Sequence, residues 1–211
     1  MHDILISLSA FIVTTALFTM TPGLDTATVL RASATSGTRC GGAAAVGITA
    51  GLFVWGVCAA FGLTALLAAS SVAFGVVKWA GALYLFQAGL RMVLRPRSGL
   101  ADGAGGVPVR LTPRGAFRQG FVSNVLNPKV GIFYITFLPQ FIPHGVNVAA
   151  YSLFLACFHV VMGLIWFSLL VVMTIPLGRF LSRLEVVRRM DRVTGCIFMG
   201  FGLRLAFERR V

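Results

Sequence analysis

Residues 18–31 read FTMTPGLDTATVLR, an unusual way for an apolar run to end. Seventeen uncharged residues extend from Ile4 to Met20 before Thr21-Pro22-Gly23 interrupts them. Two residues on stands Asp25, the only acid between Asp3 and Asp102. A second stretch of the same design, NVLNPKVG at 124–131, sets Asn127-Pro128 beside Lys129. Proline lacks a backbone donor and clashes with the preceding turn, so each stretch should divide one apolar segment into two shorter helices. A charge held at the centre of a bilayer costs roughly 2.5–3.5 kcal/mol on insertion scales. Asp25 and Lys129 therefore call for compensation: each other, a water-filled cavity, or the charges of a substrate.

That the chain lies in a bilayer follows from its composition. Hydrophobic residues make up 57% and charged residues 11% of 211, with a mean hydropathy of +0.89. Soluble domains carry about 25% charged residues, so this inventory cannot clothe a water-facing surface. Apolar stretches near 4–20, 43–66, 73–94, 116–142 (interrupted), 148–175 and 193–207 predict six transmembrane helices. Residues 24–36 are either the second half of a longer, tilted first span or a segment beyond a break near the membrane surface. Strand-length alternation is missing, which argues against a β-barrel. The N-terminal run has no basic leader and no A-x-A site, so it reads as a retained span rather than a signal peptide.

The net charge of +12 is a matter of position. Arg31 and Arg39 follow the first span, and Arg91, Arg95, Arg97, Arg110, Arg114 and Arg118 surround the third connection. Arg179, Arg183, Arg188, Arg189 and Arg192 fill the fifth, whereas 67–72 and 143–147 contain no Lys or Arg. This is the positive-inside pattern, and it predicts N-out and C-out ends with the basic loop in the cytoplasm. Arg209 and Arg210 on the outer tail run against it. No nucleic-acid partner is expected. Cys40, Cys58, Cys157 and Cys196 form no C-x-x-C and no zinc spacing with histidine, so neither a metal nor a cofactor is expected.

The chain repeats itself. Thr21-Pro22 is answered by Asn127-Pro128, Trp55 by Trp166, and GALYLFQAGLR (81–91) by GCIFMGFGLR (195–204). The expected organisation is a three-helix repeat over 1–94, a basic cytoplasmic loop over 95–115, and a second three-helix repeat over 116–211. Three spans per copy invert the second copy. The expected fold class is thus an all-α integral membrane protein of six transmembrane helices, built as two inverted repeats with Pro-broken first helices. Such repeats are a recurring design of secondary transporters, whose sites lie where corresponding helices are interrupted.

At each break a capping residue precedes Pro, which predicts Thr21 and Asn127 as N-caps of new half-helices. The new helix start favours a carboxylate and the freed carbonyls before it favour an ammonium, a pairing that suits a zwitterionic amino acid. The candidate substrate-binding residues are Thr21, Pro22, Gly23, Asp25, Asn124, Asn127, Pro128 and Lys129. Asp25 and His159 are candidates for carrying a coupling proton. Asp25 also has a plainer reading as a complement to a helix start, and His159 as a hydrogen-bonded packing residue. Gly47-x-x-x-Gly51 reads as a close helix contact within the chain.

Four stretches together resemble the LysE-type amino-acid exporters, the family that includes threonine and homoserine efflux proteins. They are TMTPGLD (19–25), GITAGLFVW (47–55), KWAGALYLFQAGLR (78–91) and GFVSNVLNPKVGIFYITFLPQF (120–141). Leu24 stands where that family usually has a second Pro in P-G-P-D. The resemblance implies proton-driven efflux of amino acids or related small metabolites across a bacterial inner membrane, by a protein that pairs into homodimers. It points to Asp25, Asn127, Pro128 and Lys129 as the positions to carry over. An enzyme would need paired catalytic groups, which three histidines and six acids without a C-x-x-C do not supply. The alternatives are a membrane scaffold or assembly protein, which has no use for charges at paired breaks, and a transporter of some other metabolite.

Overall fold

Proline and apolar length together set the helix boundaries. The computed structural model describes residues 2–69, 71–96, 110–143, 145–181 and 183–207. Most of the basic third connection, 97–109, and Arg209 and Arg210 of the tail lie outside the described residues. Helix α1 spans His2–Met20 and α2 spans Leu24–Ser36, with the Thr21-Pro22-Gly23 break between them. Gly37 turns the chain at φ 88°, a left-handed value natural to glycine, into α3 (Thr38–Ala69). Then follow α4 (Ser71–Leu94), α5 (Pro113–Val125) and α6 (Pro128–Ile132). Beyond α6 the chain tightens through a π turn at Phe133–Phe137 and a 3-10 turn at Leu138–Phe141. Helices α7 (Val148–Val172), α8 (Thr174–Leu181) and α9 (Leu184–Phe207) complete the order, with no strand among the described residues.

The helix starts are built as local chemistry requires. Thr112 Oγ1 accepts from the Gly115 amide at 3.2 Å ahead of Pro113, and Asn147 Oδ1 accepts from the Ala150 amide at 2.9 Å. Helix α9 begins nine residues before the expected sixth span, and its early turns hold Glu185, Arg188, Arg189, Asp191 and Arg192. The short α8 was not expected at all.

Two helices, α3 over Thr38–Gly62 and α7, are long and apolar enough to cross a membrane. Two bent pairs pass the same test: α1 with α2, bent by 52°, and α5 with Pro128–Phe141, bent by 50°. The described residues thus offer two to four candidate spans. Large apolar side chains such as Val13, Phe61, Leu83 and Ile165 are exposed, the surface a bilayer would cover. This is an all-helical integral membrane protein.

The bent pairs run antiparallel. Ser7 Oγ, near the start of α1, donates to the Phe141 carbonyl at the end of the second pair. At the other end the Leu111 amide, just before α5, donates to Ser36 Oγ at 2.9 Å. Two packed clusters lie between those ends. One is aromatic, with Phe11, Phe18, Phe133, Tyr134, Phe137 and Phe141, and the other is smaller in grain, with Val29, Ala44, Ala45, Ala116 and Leu181. The expected Gly47–Gly51 contact forms within the chain, on the face of α3 against α5. A Cβ at Gly47 would stand 2.1 Å from the Phe117 carbonyl oxygen, and one at Gly120 would stand 2.2 Å from that of Ala44. Only glycine permits helix axes this close.

Candidate functional site

The site begins with a carbonyl that has lost its donor. In an unbroken α1 the Phe18 carbonyl would accept from the amide of residue 22, but Pro22 has none. Lys129 Nζ donates to that oxygen instead, at 3.2 Å, and its charge lies 4.4 Å from the Phe18 ring centroid. The two breaks are thereby joined, the lysine of one half serving the exposed backbone of the other.

The Asn127 break is built as expected. Its side-chain oxygen accepts from the Lys129 amide at 3.1 Å, and Pro128 occupies the first helical turn. Pro128 in turn leaves the Asn124 carbonyl without its helical donor, and the Asn127 amide fills that place at 3.0 Å. The Thr21 break is not built as expected. Helix α2 starts after Gly23, without a side-chain cap, and Pro22 lies before the cap position rather than in the first turn. Thr21 Oγ1 turns back to donate to the Leu17 carbonyl at 2.6 Å and so closes α1 instead of opening α2. With its own proton engaged there, Thr21 Oγ1 accepts from Thr194 Oγ1 of α9 at 2.6 Å.

Asp25 sits in the first turn of α2, where a carboxylate complements the helix start. Its Oδ2 accepts from Asn124 Nδ2 of α5 at 2.9 Å, and Lys129 is near enough for its charge to act on the carboxylate. Asn124 is wholly buried, and it reaches Asp25 because residue 51 is glycine. A Cβ at Gly51 would lie 2.6 Å from Asn124 Oδ1. Asp25 Oδ1 and Asn124 Oδ1 are both buried acceptors beside that bond.

His159, in the middle of α7, is 1% exposed and partnered on both ring nitrogens. Tyr134 Oη lies 3.1 Å from Nδ1, and Thr19 Oγ1 lies 3.2 Å from Nε2. With Nδ1 accepting the phenol proton, Nε2–H donates to Thr19. Phe18, Phe133 and Tyr134 close around the ring at centroid distances of 5.2–6.2 Å. Replacing Tyr134 by Phe would leave Nδ1 unpaired, a loss of about 1–3 kcal/mol for a buried acceptor. The Tyr134→Phe protein should therefore melt at lower temperature in detergent. An unchanged melting point would mean that Nδ1 finds another donor.

These groups line a partly open cavity of about 30 Å³, room for a water but not for an amino acid. Of the residues expected from sequence, Thr21, Gly23, Asp25, Asn127, Lys129 and His159 line it. Asn124 stands behind Asp25, Pro22 is buried, and Pro128 faces a neighbouring cavity instead. Phe18, Thr19 and Thr26 of the lining, and Thr194 and Tyr134 behind it, were not singled out by sequence. The Phe18 carbonyl could have been, since it lies four residues before Pro22. No group of three His, Cys, Asp or Glu suited to a metal occurs among the described residues. An acid, an amine, an amide, hydroxyls and an imidazole thus converge on one small cavity between two helix breaks.

The family model described as LysE type translocator matches residues 16–209. The chain is 30% identical over 205 residues to an uncharacterized membrane protein, YrhP, of Bacillus subtilis, covering 94% of this chain and 97% of that one. It is 30% identical over 193 residues to a leucine efflux protein of Enterobacter sp., covering 89% of each. A homoserine/homoserine lactone efflux protein of Salmonella typhi is 27% identical over 206 residues, covering 95% of this chain and 96% of its own. No solved structure matches.

Proposed function

The chain belongs to the LysE type translocator family, and on that premise we propose that it exports an amino acid or related small metabolite across the bacterial inner membrane, coupled to protons. One observation carries the reading: Asp25 and Lys129, on different halves of the chain, line one small cavity with Asn127 at paired helix breaks. A zwitterion can replace this arrangement charge for charge, its carboxylate taking Lys129 and its ammonium taking Asp25. The buried Oδ1 atoms of Asp25 and Asn124 are acceptors for such an ammonium, and the Asp25 carboxylate is one for a proton. Thr21, Pro22, Gly23, Asn124, Asn127 and Pro128 shape the site, and Asp25 or His159 carries the coupling proton.

The same proposal includes six spans in two inverted repeats, 1–94 and 116–211, joined by a cytoplasmic loop over 95–115. Antiparallel bent pairs support it, and so does the crossing of α4 with α9. Gly89 there meets the Gly195 carbonyl, and Gly202 meets that of Ala82. Shifting Gly89 and Ala82 by 113 positions gives Gly202 and Gly195, so each contact maps onto the other, as a two-fold relation requires. The ends of all three basic connections gather on one side, where Cys40, Ala116 and Leu181 share a cluster, which supports N-out and C-out topology. Homodimeric assembly is part of the proposal as well.

The test is export of mass-tagged amino acids from dipeptide-fed cells, with leucine and homoserine in the panel and membrane abundance measured. Expression should lower the internal level of one or a few amino acids and raise the external level. Export of none across the panel would end the amino-acid reading.

A further inference from the structure

Beside the small cavity lies a larger one of about 310 Å³, walled by α4, α6 and α9. Tyr84, Gln87 and Arg91 line it from α4, Arg95 from just past the end of that helix, and Asp191 and Phe198 from α9. Lys129 is the residue that the two cavities have in common. We propose that the larger cavity is a loading vestibule, in which Arg91 and Arg95 capture the carboxylate of the substrate before it passes Lys129 into the site between the breaks. This rests on the exporter reading for the identity of the substrate, though not for the binding of a carboxylate.

Three features carry the proposal. The cavity is basic, with Arg91, Arg95 and Lys129 set against one acid, Asp191. Guanidinium groups match a carboxylate in shape as well as in charge, since both are planar and pair through two parallel hydrogen bonds. The volume of the larger cavity falls at the lower end of the range for small-molecule sites, roughly 300–1,000 Å³, whereas the small cavity is far below it. Tyr84, Met92, Ile132 and Phe198 add an apolar wall for a side chain. The position is also suited to entry. Arg91 and Arg95 are exposed at the end of α4 that leads into the basic connection, on the side where the three basic connections gather. Lys129 holds the Phe18 carbonyl at 3.2 Å, and a substrate carboxylate arriving from the vestibule competes for that ammonium. Capture and opening are thereby linked at one residue.

The experiment uses the purified full-length protein and two probes that divide the zwitterion. N-acetyl-L-leucine keeps the carboxylate and lacks the ammonium, and L-leucinamide does the reverse. Binding is measured by thermal shift in phosphatidylcholine nanodiscs for wild type and for the double variant Arg91→Gln/Arg95→Gln. N-acetyl-L-leucine should stabilise wild type, and its affinity should fall about tenfold or more in the variant. The response to L-leucinamide should be the same in both proteins. Absence of N-acetyl-L-leucine binding to wild type, equal affinity in the two proteins, or a parallel loss of both probes would overturn the proposal. So would complete exclusion of N-acetyl-L-leucine by phosphatidylglycerol, which would give the cavity to a lipid headgroup. A protein that binds as expected but exports nothing from cells would sink the exporter reading and leave the anion site standing.

Discussion

Asp25→Asn is expected to abolish uphill export while the protein remains folded in the membrane. The carboxamide has the shape of the carboxylate, and its oxygen can still accept from Asn124 Nδ2, so the 2.9 Å contact between α2 and α5 is retained. What is lost is the charge beside Lys129 and the capacity to take up and release a proton. Initial export should fall by about tenfold or more, the equivalent of one charge-assisted interaction. Exchange of labelled for unlabelled amino acid, which needs no net proton movement, should survive better than accumulation outside. The variant also removes a negative charge whose field reaches the Lys129 ammonium, and a charge at membrane depth costs roughly 2.5–3.5 kcal/mol. The double variant Asp25→Asn/Lys129→Met removes that cost and separates the two roles. A double variant that is abundant but inert places the charges in transport. If it exports like wild type, the pair is a structural device, and the coupling group must be sought at His159.

The parts of this site legible in sequence were those where one residue type has one strong physical consequence. Pro22 and Pro128 announced the breaks because proline cannot continue a helix ladder. Asp25 and Lys129 stood out because a charge in an apolar run is costly. Gly47 and Gly51 proclaimed a close contact, though not that Gly51 makes room for Asn124. The Thr21 cap failed for a definable reason. A threonine hydroxyl can serve the amides ahead or the carbonyl four residues behind, and the presence of Thr194 on α9 decides between them. Nothing local to Thr194 signals that it will face Thr21, because the helix crossing that joins them spans most of the chain. Tyr134 was hidden differently. It lies in a π turn, where the 3.6-residue period used to assign faces no longer applies. The capping of α6 by Asn127, by contrast, depends only on its immediate neighbours, and it forms as expected.

The other large effect is expected at Gly47, where function and folding share one contact. A Cβ at this position meets the Phe117 carbonyl oxygen at 2.1 Å and the Phe121 amide nitrogen at 2.9 Å. Both are backbone atoms, so no change of rotamer relieves the clash, and Gly47→Leu must drive α3 and α5 apart. Overpacking a core costs about 1–3 kcal/mol where side chains can adjust, and more where backbone must move. Membrane helices rely on close packing for their association, since lipid is as apolar as the helix face. The Gly47→Leu protein should therefore be scarce in the membrane and should not elute as a single sharp peak in detergent. Gly51→Ala probes the same helix pair differently, because its Cβ meets the side chain of Asn124. That variant should reach the membrane in good amount and export poorly, its Asn124 displaced from Asp25. Gly42→Ala, where nothing lies within 4 Å, is the control and should match wild type in both respects. If Gly47→Leu is as abundant and as heat-stable as Gly42→Ala, the approach of α3 to α5 does not limit the fold. If Gly51→Ala exports normally, the bond from Asn124 is dispensable, and Asp25 must be held by other groups.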